Sequence, residues 1–226
     1  MQQFYLLIDL DDTLFDAESA YAFALNSIGI DPLSPAYTEA RKTIKSRLGE
    51  GHVGARNRLL YFKQMLDGAS KYSHCEVLDL MDRYEKKLSD AIKEQWNLLG
   101  RKRLFEGKLG QIPKVIVTNE NLRTQMIKLR AIDPDGKLFP RIVTSEEMGV
   151  EKPDLSVFEQ AAKVLGVEPK DCMMVGDSFE NDIVPALKLG MKSFLTTEFR
   201  KTQNVFVPPR GVEVLTKLED LENILQ

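Results

Sequence analysis

The sequence predicts an α/β protein in which a doubly wound parallel sheet carries an inserted, all-helical segment. Apolar runs typical of strands alternate with helical patterns from Lys114 onward, as in β-α-β units joined by right-handed crossovers. A further apolar run, Phe4–Ile8, precedes them and is likewise followed by polar residues. Residues 16–99 contain only helical patterns. We therefore expect one sheet that is interrupted, after its first strand, by a helical insertion.

The composition is that of an ordinary globular protein and narrows the classes of partner. The chain has 226 residues, of which 43% are hydrophobic and 29% charged, and its formal net charge is -3. This charge provides no basic field for a nucleic acid polymer. No secretory signal is evident, and no apolar run approaches the roughly 18 residues of a membrane span. Because Cys75 and Cys172 lie far apart, we expect reduced thiols and a cytoplasmic protein, with the oligomeric state left open.

The first predicted strand ends in a cluster of acids. The unbroken apolar run Phe4–Ile8 is typical of a strand that is buried on both faces. Asp9, Asp11 and Asp12 follow it directly, at the end of a strand where open α/β sheets bind ligands. Their mutual repulsion is costly unless a cation or a shared proton offsets it. We infer a metal site that includes a carboxylate with a chemical role.

The inserted segment is predicted to contain four helices. Apolar residues at helical spacing, glycine stops and the capping-box sequence Ser73-x-x-Glu76 define them. They are expected over residues 16–28, 35–48, 55–66 and 73–99. Between the second and third helices, Gly49–Gly54 is too rich in glycine for a helix and is predicted to be a mobile loop.

Three polar residues around this loop are candidates for substrate contact. Arg47, His52 and Arg56 flank or lie within the glycine-rich stretch. We hypothesise that they reach the substrate, since a mobile loop between two helices can close over a site. The alternative is that they are solvated surface residues.

The remaining elements alternate along the chain after a basic segment, Gly100–Gly110. That segment is interpreted as a linker in which Arg101-Lys102-Arg103 is solvated. Strands are expected over residues 114–118, 141–144, 172–175, 192–195 and 212–215. Helices are expected up to residue 131, over 154–165 and 181–189, and after the capping sequence Thr216-Lys217-Leu218-Glu219. Pro208-Pro209 stiffens the loop before the last strand.

Polar side chains also follow the later predicted strands. Thr118 and Asn119 end the second strand, Lys152 lies in the loop after the third, and Asp177 and Asp182 follow the fourth. Because parallel strands end at one edge of a sheet, we expect these side chains to lie near the acids of the first strand. Helix capping is the alternative for Thr118-Asn119 and for either of the two acids.

The chain resembles the haloacid dehalogenase-like (HAD) superfamily of phosphohydrolases in four sequence motifs. These are Asp9-x-Asp11-x-Thr13, Thr118, Lys152-Pro153 and Gly176-Asp177-Ser178-x-x-x-Asp182. The resemblance covers the whole predicted core. Four motifs in this order are specific to the superfamily, whereas a lone D-x-D motif is not. It implies a Rossmann-like core of residues 1–15 and 100–226, with a helical, C1-type cap of residues 16–99.

The resemblance implies chemical roles for the motif residues. Asp9 would attack phosphorus to form an aspartyl-phosphate, and Asp11 would protonate the leaving group and then activate water. Thr118 and Lys152 would hold the phosphoryl oxygens. Thr13 and Asn119 are further candidates for phosphate contact, and Thr13 would also fix the turn and orient Asp11.

The resemblance further implies a Mg²⁺ cofactor. The ion would be bound by the Asp9 side chain, the Asp11 backbone carbonyl and Asp177, with Asp182 in support. A set of oxygen ligands suits a hard cation. The expected partner is a small phosphorylated metabolite, without nucleic acid polymer or membrane.

The acid at Asp11 favours a phosphatase among related activities. Alkoxide leaving groups need a proton donor and halides do not, and the resemblance implies that phosphatases and phosphomutases keep this acid. Asp12 replaces the glycine common at its position, a form similar to nucleotidase-like members. The expected function is Mg²⁺-dependent hydrolysis of a small phosphate monoester, with nucleoside 5′-monophosphates favoured.

Other functions remain open. A sugar-phosphate or phosphoglycolate-type phosphatase needs the same core, as does a phosphomutase, which would yield an isomerised sugar instead of free phosphate. An inactive HAD-like binding protein would be expected to lack Asp9, Asp11 or Lys152, and all three are present. A receiver-type signalling switch is shorter and carries its phosphoacceptor on a later strand.

Overall fold

A single parallel sheet organises the molecule. The computed structural model describes residues 4–49, 51–67, 73–199 and 212–224. The strands are β1 (Tyr5–Ile8), β2 (Lys114–Thr118), β3 (Ile142–Thr144), β4 (Cys172–Gly176), β5 (Lys192–Thr196) and β6 (Val212–Leu215). They lie in the order β3-β2-β1-β4-β5-β6, and every neighbouring pair is parallel. The predicted α/β, doubly wound, Rossmann-like fold is confirmed.

Strand β1 lies at the centre of the sheet and is buried on both faces. Leu6 and Ile8 contribute to one hydrophobic cluster, and Leu7 contributes to a second cluster on the opposite face. This division follows from the alternation of side chains along a strand. Helices therefore cover both faces, which explains the continuous apolar run in the sequence.

Between β1 and β2 the described residues form helices joined by turns and loops, without a further strand. Its main helices are α1 (Ala17–Ser27), α2 (Pro35–Leu48), α3 (Arg58–Leu66) and α4 (His74–Leu98). Asp16 caps α1 and Ser73 caps α4, each through a side-chain oxygen, as helix N-termini require. Helix α3 begins later than predicted because Val53–Arg56 forms a separate 3-10 turn and Asn57 caps the helix.

The segment from Gly100 to Gly110 is packed structure instead of a linker, and the expectation that Arg101 is solvated was wrong, whereas Lys102 and Arg103 are exposed as expected. It forms helix α5 (Arg101–Glu106) and a 3-10 turn, Lys108–Gln111. Phe105 is buried and stacks on Trp96 with ring centroids 5.8 Å apart. Arg101 is fully buried and pairs with Glu198 and Glu219. These acids lie far along the chain, so local charge patterning could not reveal that the arginine is buried.

The second half of the chain follows the predicted alternation with small shifts. Its helices are α6 (Leu122–Ile132), α7 (Ser145–Met148), α8 (Leu155–Leu165), α9 (Val184–Lys188) and α10 (Leu221–Ile224). The expected helix over residues 181–189 is split, because Phe179–Ile183 winds as a wider π-type turn before α9. At the C-terminal end Asp220, not Glu219, accepts the capping hydrogen bonds from Thr216 and Lys217.

Two further expectations, on membrane spans and on cysteines, can be compared with the described residues. Within them, no helix has the length and apolar character needed to cross a membrane. Cys75 is exposed, Cys172 is buried, and both are free thiols. The loop containing Pro208-Pro209 lies outside the described residues.

Candidate active site

The carboxyl ends of three adjacent strands bring the predicted motif residues together. Ile8 of β1 lies opposite Ile116 of β2 and Val175 of β4. The residues that follow these positions therefore emerge at one level of the sheet edge. Asp9 leaves β1 there, between Thr118 at the end of β2 and Asp177 after β4.

Asp9 is held at this edge by a buried lysine and a buried hydroxyl. Lys152 Nζ donates to Asp9 Oδ1 at 2.6 Å, to Asp182 Oδ1 at 2.6 Å and to the carbonyl oxygen of Val117 at 2.9 Å. Thr13 Oγ1 donates to Asp9 Oδ2 at 3.1 Å. All three donors of the lysine ammonium are thus used, and Lys152 joins the ends of three strands.

The charges at this edge are incompletely balanced by the lysine. Burial, assisted by the charges of Asp182 and Asp177, raises the pKa of Asp9 well above its ordinary value despite the opposing charge of Lys152. Burial and the charge of Asp182 raise the pKa of Asp177 to about 7. Conversely, although burial works against it, Asp182 and Asp9 raise the pKa of Lys152. A further cation would favour the ionised form of the acids.

The carboxylates of Asp9, Asp177 and Asp182 fit such a cation. One oxygen from each lies within 4.8 Å of the others, and oxygen-only donors suit Mg²⁺. Asp182 is oriented by the N–H of Ser178, which donates to its Oδ2 at 3.0 Å. Gly176 makes room for it, since a Cβ at that position would overlap the Asp182 carboxylate. The glycine is therefore required by the position of the acid.

Asp11 lies apart from that group, in a network with side chains of two helices. Lys128 Nζ of α6 contacts both of its carboxylate oxygens at 2.7 Å. Gln125 Nε2 and the Tyr21 hydroxyl each donate to Asp11 Oδ2 at 3.1 Å. Although burial favours the neutral acid, the charge and hydrogen bond of Lys128 lower the pKa of Asp11. Its carboxylate is therefore engaged by side chains of α1 and α6.

Sequence reasoning missed Gln125, Lys128 and Tyr21. Gln125 and Lys128 are both completely buried, although lysine is rarely buried without a partner. They are three residues apart on α6 and therefore share a face. The sequence did contain a signal for Gln125 and Lys128. They are two polar residues spaced to share a helix face, in the helix that follows a strand with candidate site residues at its end.

Two motif residues have contacts that differ from their expected roles. The Thr13 hydroxyl bonds to Asp9, so the expectation that Thr13 orients Asp11 was wrong. Asn119 Nδ2 donates to the carbonyl oxygen of Lys152 at 2.9 Å, and its Oδ1 accepts from the Lys152 N–H at 2.7 Å. The Asn119 amide thus fixes the backbone that carries the lysine.

Helix capping does not account for the motif residues. Asn121, rather than Thr118 or Asn119, caps α6 by accepting from the Thr124 N–H at 2.9 Å. Ser178, rather than Asp177 or Asp182, accepts from the Asn181 N–H at 3.2 Å. The motif side chains are left for contacts across the sheet edge.

Asp12 has a local structural role. Its φ of 57° lies in the left-handed region, which glycine adopts without strain and aspartate tolerates better than most residues. Its Oδ1 accepts from the Ala17 N–H at 2.9 Å, at the start of α1. The positive φ and the hydrogen bond at the start of α1 are sufficient to explain an aspartate at this position.

The three loop residues of the helical segment separate in the structure. His52 and Arg56 line a cavity of about 530 Å³, together with Lys45, Ser46, Gly49, Gly51, Ala55 and Glu151. Arg56 pairs with Glu151 at 3.2 Å, and His52 Nδ1 accepts from the Gly54 N–H at 3.0 Å. Arg47 instead donates to Gln64 at 3.2 Å.

One residue that lines this cavity is the chain neighbour of a residue of the strand-end site. Glu151 precedes Lys152 in the chain, and the lysine reaches Asp9. The lining includes two cations, Lys45 and Arg56, and one acid, Glu151, so it carries a net positive charge. Such a charge favours anionic ligands.

Comparisons with known proteins agree with this geometry. A glyceraldehyde 3-phosphate phosphatase of Methanothermobacter thermautotrophicus is 34% identical over 87 residues, which are 38% of this chain and 38% of that protein. The match therefore spans well under half of that relative. A phosphoglycolate phosphatase of Neisseria gonorrhoeae is 30% identical over 191 residues, covering 82% of this chain and 76% of the relative.

The fold has counterparts among solved structures. The HAD-hydrolase YfnB of Bacillus subtilis, solved with bound magnesium, covers 100% of this chain and 99% of its own with a TM-score of 0.64 and 24% identity. At that identity the likeness concerns the fold. The sequence model of the haloacid dehalogenase-like hydrolases matches residues 5–190, which include every motif at the sheet edge. The chain belongs to the haloacid dehalogenase-like hydrolase family.

Proposed function

We propose that this protein is a Mg²⁺-dependent phosphatase that hydrolyses a small phosphate monoester through an aspartyl-phosphate on Asp9. The observation that carries the proposal is the environment of Asp9. This carboxylate lies at the centre of the sheet edge, contacts Lys152 and belongs to the group of acids with Asp177 and Asp182. An anionic nucleophile with adjacent cations is the arrangement that phosphoryl transfer requires.

The residues at the sheet edge would have distinct roles in the reaction. Asp9 attacks phosphorus, while Lys152 neutralises it and the developing phosphoryl charge. Thr118 donates its hydroxyl hydrogen to a phosphoryl oxygen. Mg²⁺ bound by Asp9, the Asp11 carbonyl, Asp177 and Asp182 would supply positive charge next to the transferred group.

Asp11 would serve both proton transfers. It gives a proton to the leaving alkoxide and then takes one from the water that hydrolyses the aspartyl-phosphate. The first transfer needs the protonated form of Asp11, which its burial favours, and the second needs the ionised form, which Lys128 favours. Separate contacts for Asp9 and Asp11 allow one carboxylate to attack while the other moves protons.

We further propose that residues 16–99 act as a cap over this site, with residues 1–15 and 100–226 as the core. The contacts between the Tyr21 hydroxyl and Asp11, between Arg58 and Glu120, and between Arg56 and Glu151 support this division. The cavity lined by His52 and Arg56 would take the part of the substrate beyond the phosphate.

The substrate class follows from the chemistry of the site and from the relatives. The relatives named above are phosphatases of glyceraldehyde 3-phosphate and of phosphoglycolate, and both substrates are small monoesters. The sequence-based preference for nucleoside 5′-monophosphates depended on Asp12, whose turn and capping contact have a local explanation. We therefore propose phosphorylated small acids and sugars first, with nucleotides as the comparison class.

A panel of phosphate esters tests the proposal directly. The wild-type protein is expected to release phosphate with Mg²⁺ and not after chelation. Asp9→Asn should lower kcat/KM by about a thousandfold or more, because a covalent nucleophile is lost. Asp12→Asn is the matched control, since asparagine also tolerates a positive φ and can accept the hydrogen bond from the Ala17 N–H.

Two outcomes would contradict the mechanism. Turnover that survives both chelation and Asp9→Asn would exclude a metal-assisted aspartyl-phosphate. Isomerised sugar from a hexose 1-phosphate, in place of free phosphate, would identify a phosphomutase.

A further inference from the structure

One buried glutamine connects the two halves of the site. Gln125 Nε2 lies 2.6 Å from Thr118 Oγ1 and 3.1 Å from Asp11 Oδ2. Gln125 is completely buried in α6, and Thr118 is buried at the end of β2. A single nitrogen therefore bridges the hydroxyl at the end of β2 and the carboxylate after β1.

The charge of Asp11 determines which way the Gln125 amide points. Asp11 faces Lys128 through both oxygens and is therefore an acceptor. If the Gln125 amide were reversed, its oxygen would face the Asp11 carboxylate and two acceptors would repel. The Gln125 Oε1 is buried and has no hydrogen-bond partner among the described residues, so no bond from its oxygen opposes this orientation.

The orientation of the amide determines the orientation of the Thr118 hydroxyl. An amide nitrogen only donates hydrogen bonds. Thr118 Oγ1 must accept from Gln125, and its one hydrogen is left to point elsewhere. Among the described residues, the Thr118 hydroxyl accepts from Gln125 and donates no hydrogen bond. The carbonyl of the preceding residue, Val117, already contacts Lys152, so the hydroxyl lies beside the reacting edge.

We propose that Gln125 is a positioning residue that directs the Thr118 hydroxyl hydrogen toward the transferred phosphoryl group and keeps Asp11 aligned with it. The inference rests on the proposed phosphatase function and extends it to a residue outside the four motifs. Gln125 touches neither the nucleophile nor the phosphoryl group in this scheme. It acts through Thr118 and Asp11, because a hydroxyl with a predetermined donor direction needs no reorientation during the reaction.

A double-mutant cycle tests the proposal on the full, Mg²⁺-loaded chain. Gln125→Met has a similar length and no donor, and Thr118→Val removes the hydroxyl. The readouts are kcat/KM for p-nitrophenyl phosphate and the Kd of orthophosphate. Gln125→Met should lower kcat/KM at least about tenfold and weaken orthophosphate binding, because an oriented donor is lost. In the Thr118→Val background the same substitution should change orthophosphate affinity by less than about twofold, and its effect on kcat/KM should shrink to the part that acts through Asp11.

A second glutamine, which is partly buried, provides the control. Gln95 also makes hydrogen bonds through both ends of its amide, to the backbone of Asp16 at 2.9 and 3.1 Å. Gln95→Met should change orthophosphate affinity by less than about twofold, since it contacts neither Thr118 nor Asp11.

A second variant covers the case in which Gln125→Met fails to fold. Gln125→Glu keeps the shape of the side chain but presents an acceptor to Thr118. The Thr118 hydroxyl should then donate to the introduced carboxylate instead of to the phosphoryl group. The loss of kcat/KM in this variant should equal or exceed that of Gln125→Met and shrink in the Thr118→Val background.

The contradicting results are separable from failure of the proposed function. Wild-type affinity for orthophosphate in Gln125→Met, or an equal loss with and without the Thr118 hydroxyl, would overturn the positioning role. Absence of turnover by the wild-type protein on every ester would instead overturn the phosphatase proposal, and the orthophosphate readout would still test Gln125.

Discussion

Two buried lysines separate the acids that follow β1. Lys152 contacts Asp9 and Lys128 contacts Asp11, with distances of 2.6 and 2.7 Å. Leu10 between them is completely buried, so the two carboxylates project to separate partners. Each acid therefore has its own counter-charge, and their properties diverge: the pKa of Asp9 is raised, chiefly by burial, and that of Asp11 is lowered by Lys128. Without a metal, these shifts are opposite to those that a nucleophile at Asp9 and a proton donor at Asp11 need, and a cation bound by Asp9, Asp177 and Asp182 would lower the pKa of Asp9.

Mg²⁺ affinity should depend on pH through Asp177. Burial and Asp182 raise the pKa of Asp177 to about 7, so the acid is largely protonated below that pH. A carboxylate must be ionised to bind a metal, and affinity should therefore rise with pH and level off above neutrality. We expect binding about tenfold weaker at pH 6 than at pH 8, measured by calorimetric titration with MgCl₂.

Asp177→Asn provides the control for this titration. It should weaken binding overall and reduce the dependence on pH, because an amide does not titrate in this range. An affinity that is constant from pH 6 to pH 8 in the wild-type protein would contradict the role of Asp177.

Two of the ion pairs between the helical segment and the elements that follow β2 and β3 differ in burial. Arg58 at the start of α3 pairs with Glu120 at 2.8 Å, with side chains 12% and 4% exposed. Arg58 also lies over the Tyr21 ring, 3.8 Å from its centroid. Arg56 pairs with Glu151 at 3.2 Å, but its side chain is 48% exposed. The first contact is desolvated and the second is largely open to water.

Loss of these two arginines should therefore have different consequences. Arg58→Leu leaves Glu120 buried without its partner and should lower the free energy of unfolding by about 3–5 kcal/mol. Arg56→Leu breaks an exposed pair and should cost at most about 1 kcal/mol. Urea denaturation of both variants is the measurement, and equal effects would show that burial does not govern these contacts.

At the scale of the whole molecule, one arginine connects distant parts of the chain. Arg101 is completely buried and pairs with Glu198 after β5 and Glu219 after β6. Glu198 also accepts from the Leu218 N–H at 2.9 Å. The chain returning from the helices is thereby joined to the far edge of the sheet.

Removal of this arginine should destabilise the whole fold. Arg101→Met leaves the mostly buried Glu198 without its counter-charge and should lower the free energy of unfolding by about 3–5 kcal/mol. A second change, Glu198→Gln, should recover part of the loss, because the uncompensated charge is then removed. Urea denaturation of the single and double variants decides this, and unchanged stability of Arg101→Met would contradict it.

Local patterns were sufficient for the sheet, for most of the helices and for the grouping of the strand-end motifs. Apolar runs such as Phe4–Ile8 identify buried strands because side chains on both faces must leave water. Parallel strands then end at a common edge, so Asp9 and Asp177 could be placed near each other without coordinates. Caps such as Ser73 depend on residues within one helical turn, and they too could be predicted from the sequence.

Contacts between distant residues required the tertiary structure. Lys128 was invisible as a partner of Asp11, Gln125 as a bridge from Thr118 to Asp11, and Arg101 as a buried cation, because Asp11 is 117 and 114 residues from the first two and the acids of Arg101 are 97 and 118 residues away. The hydrogen bond from Thr13 to Asp9 likewise depends on how the turn is wound. Burial and charge pairing are properties of the packed chain, whereas periodicity and capping are properties of a short segment, and this difference separates what could be predicted from what could not.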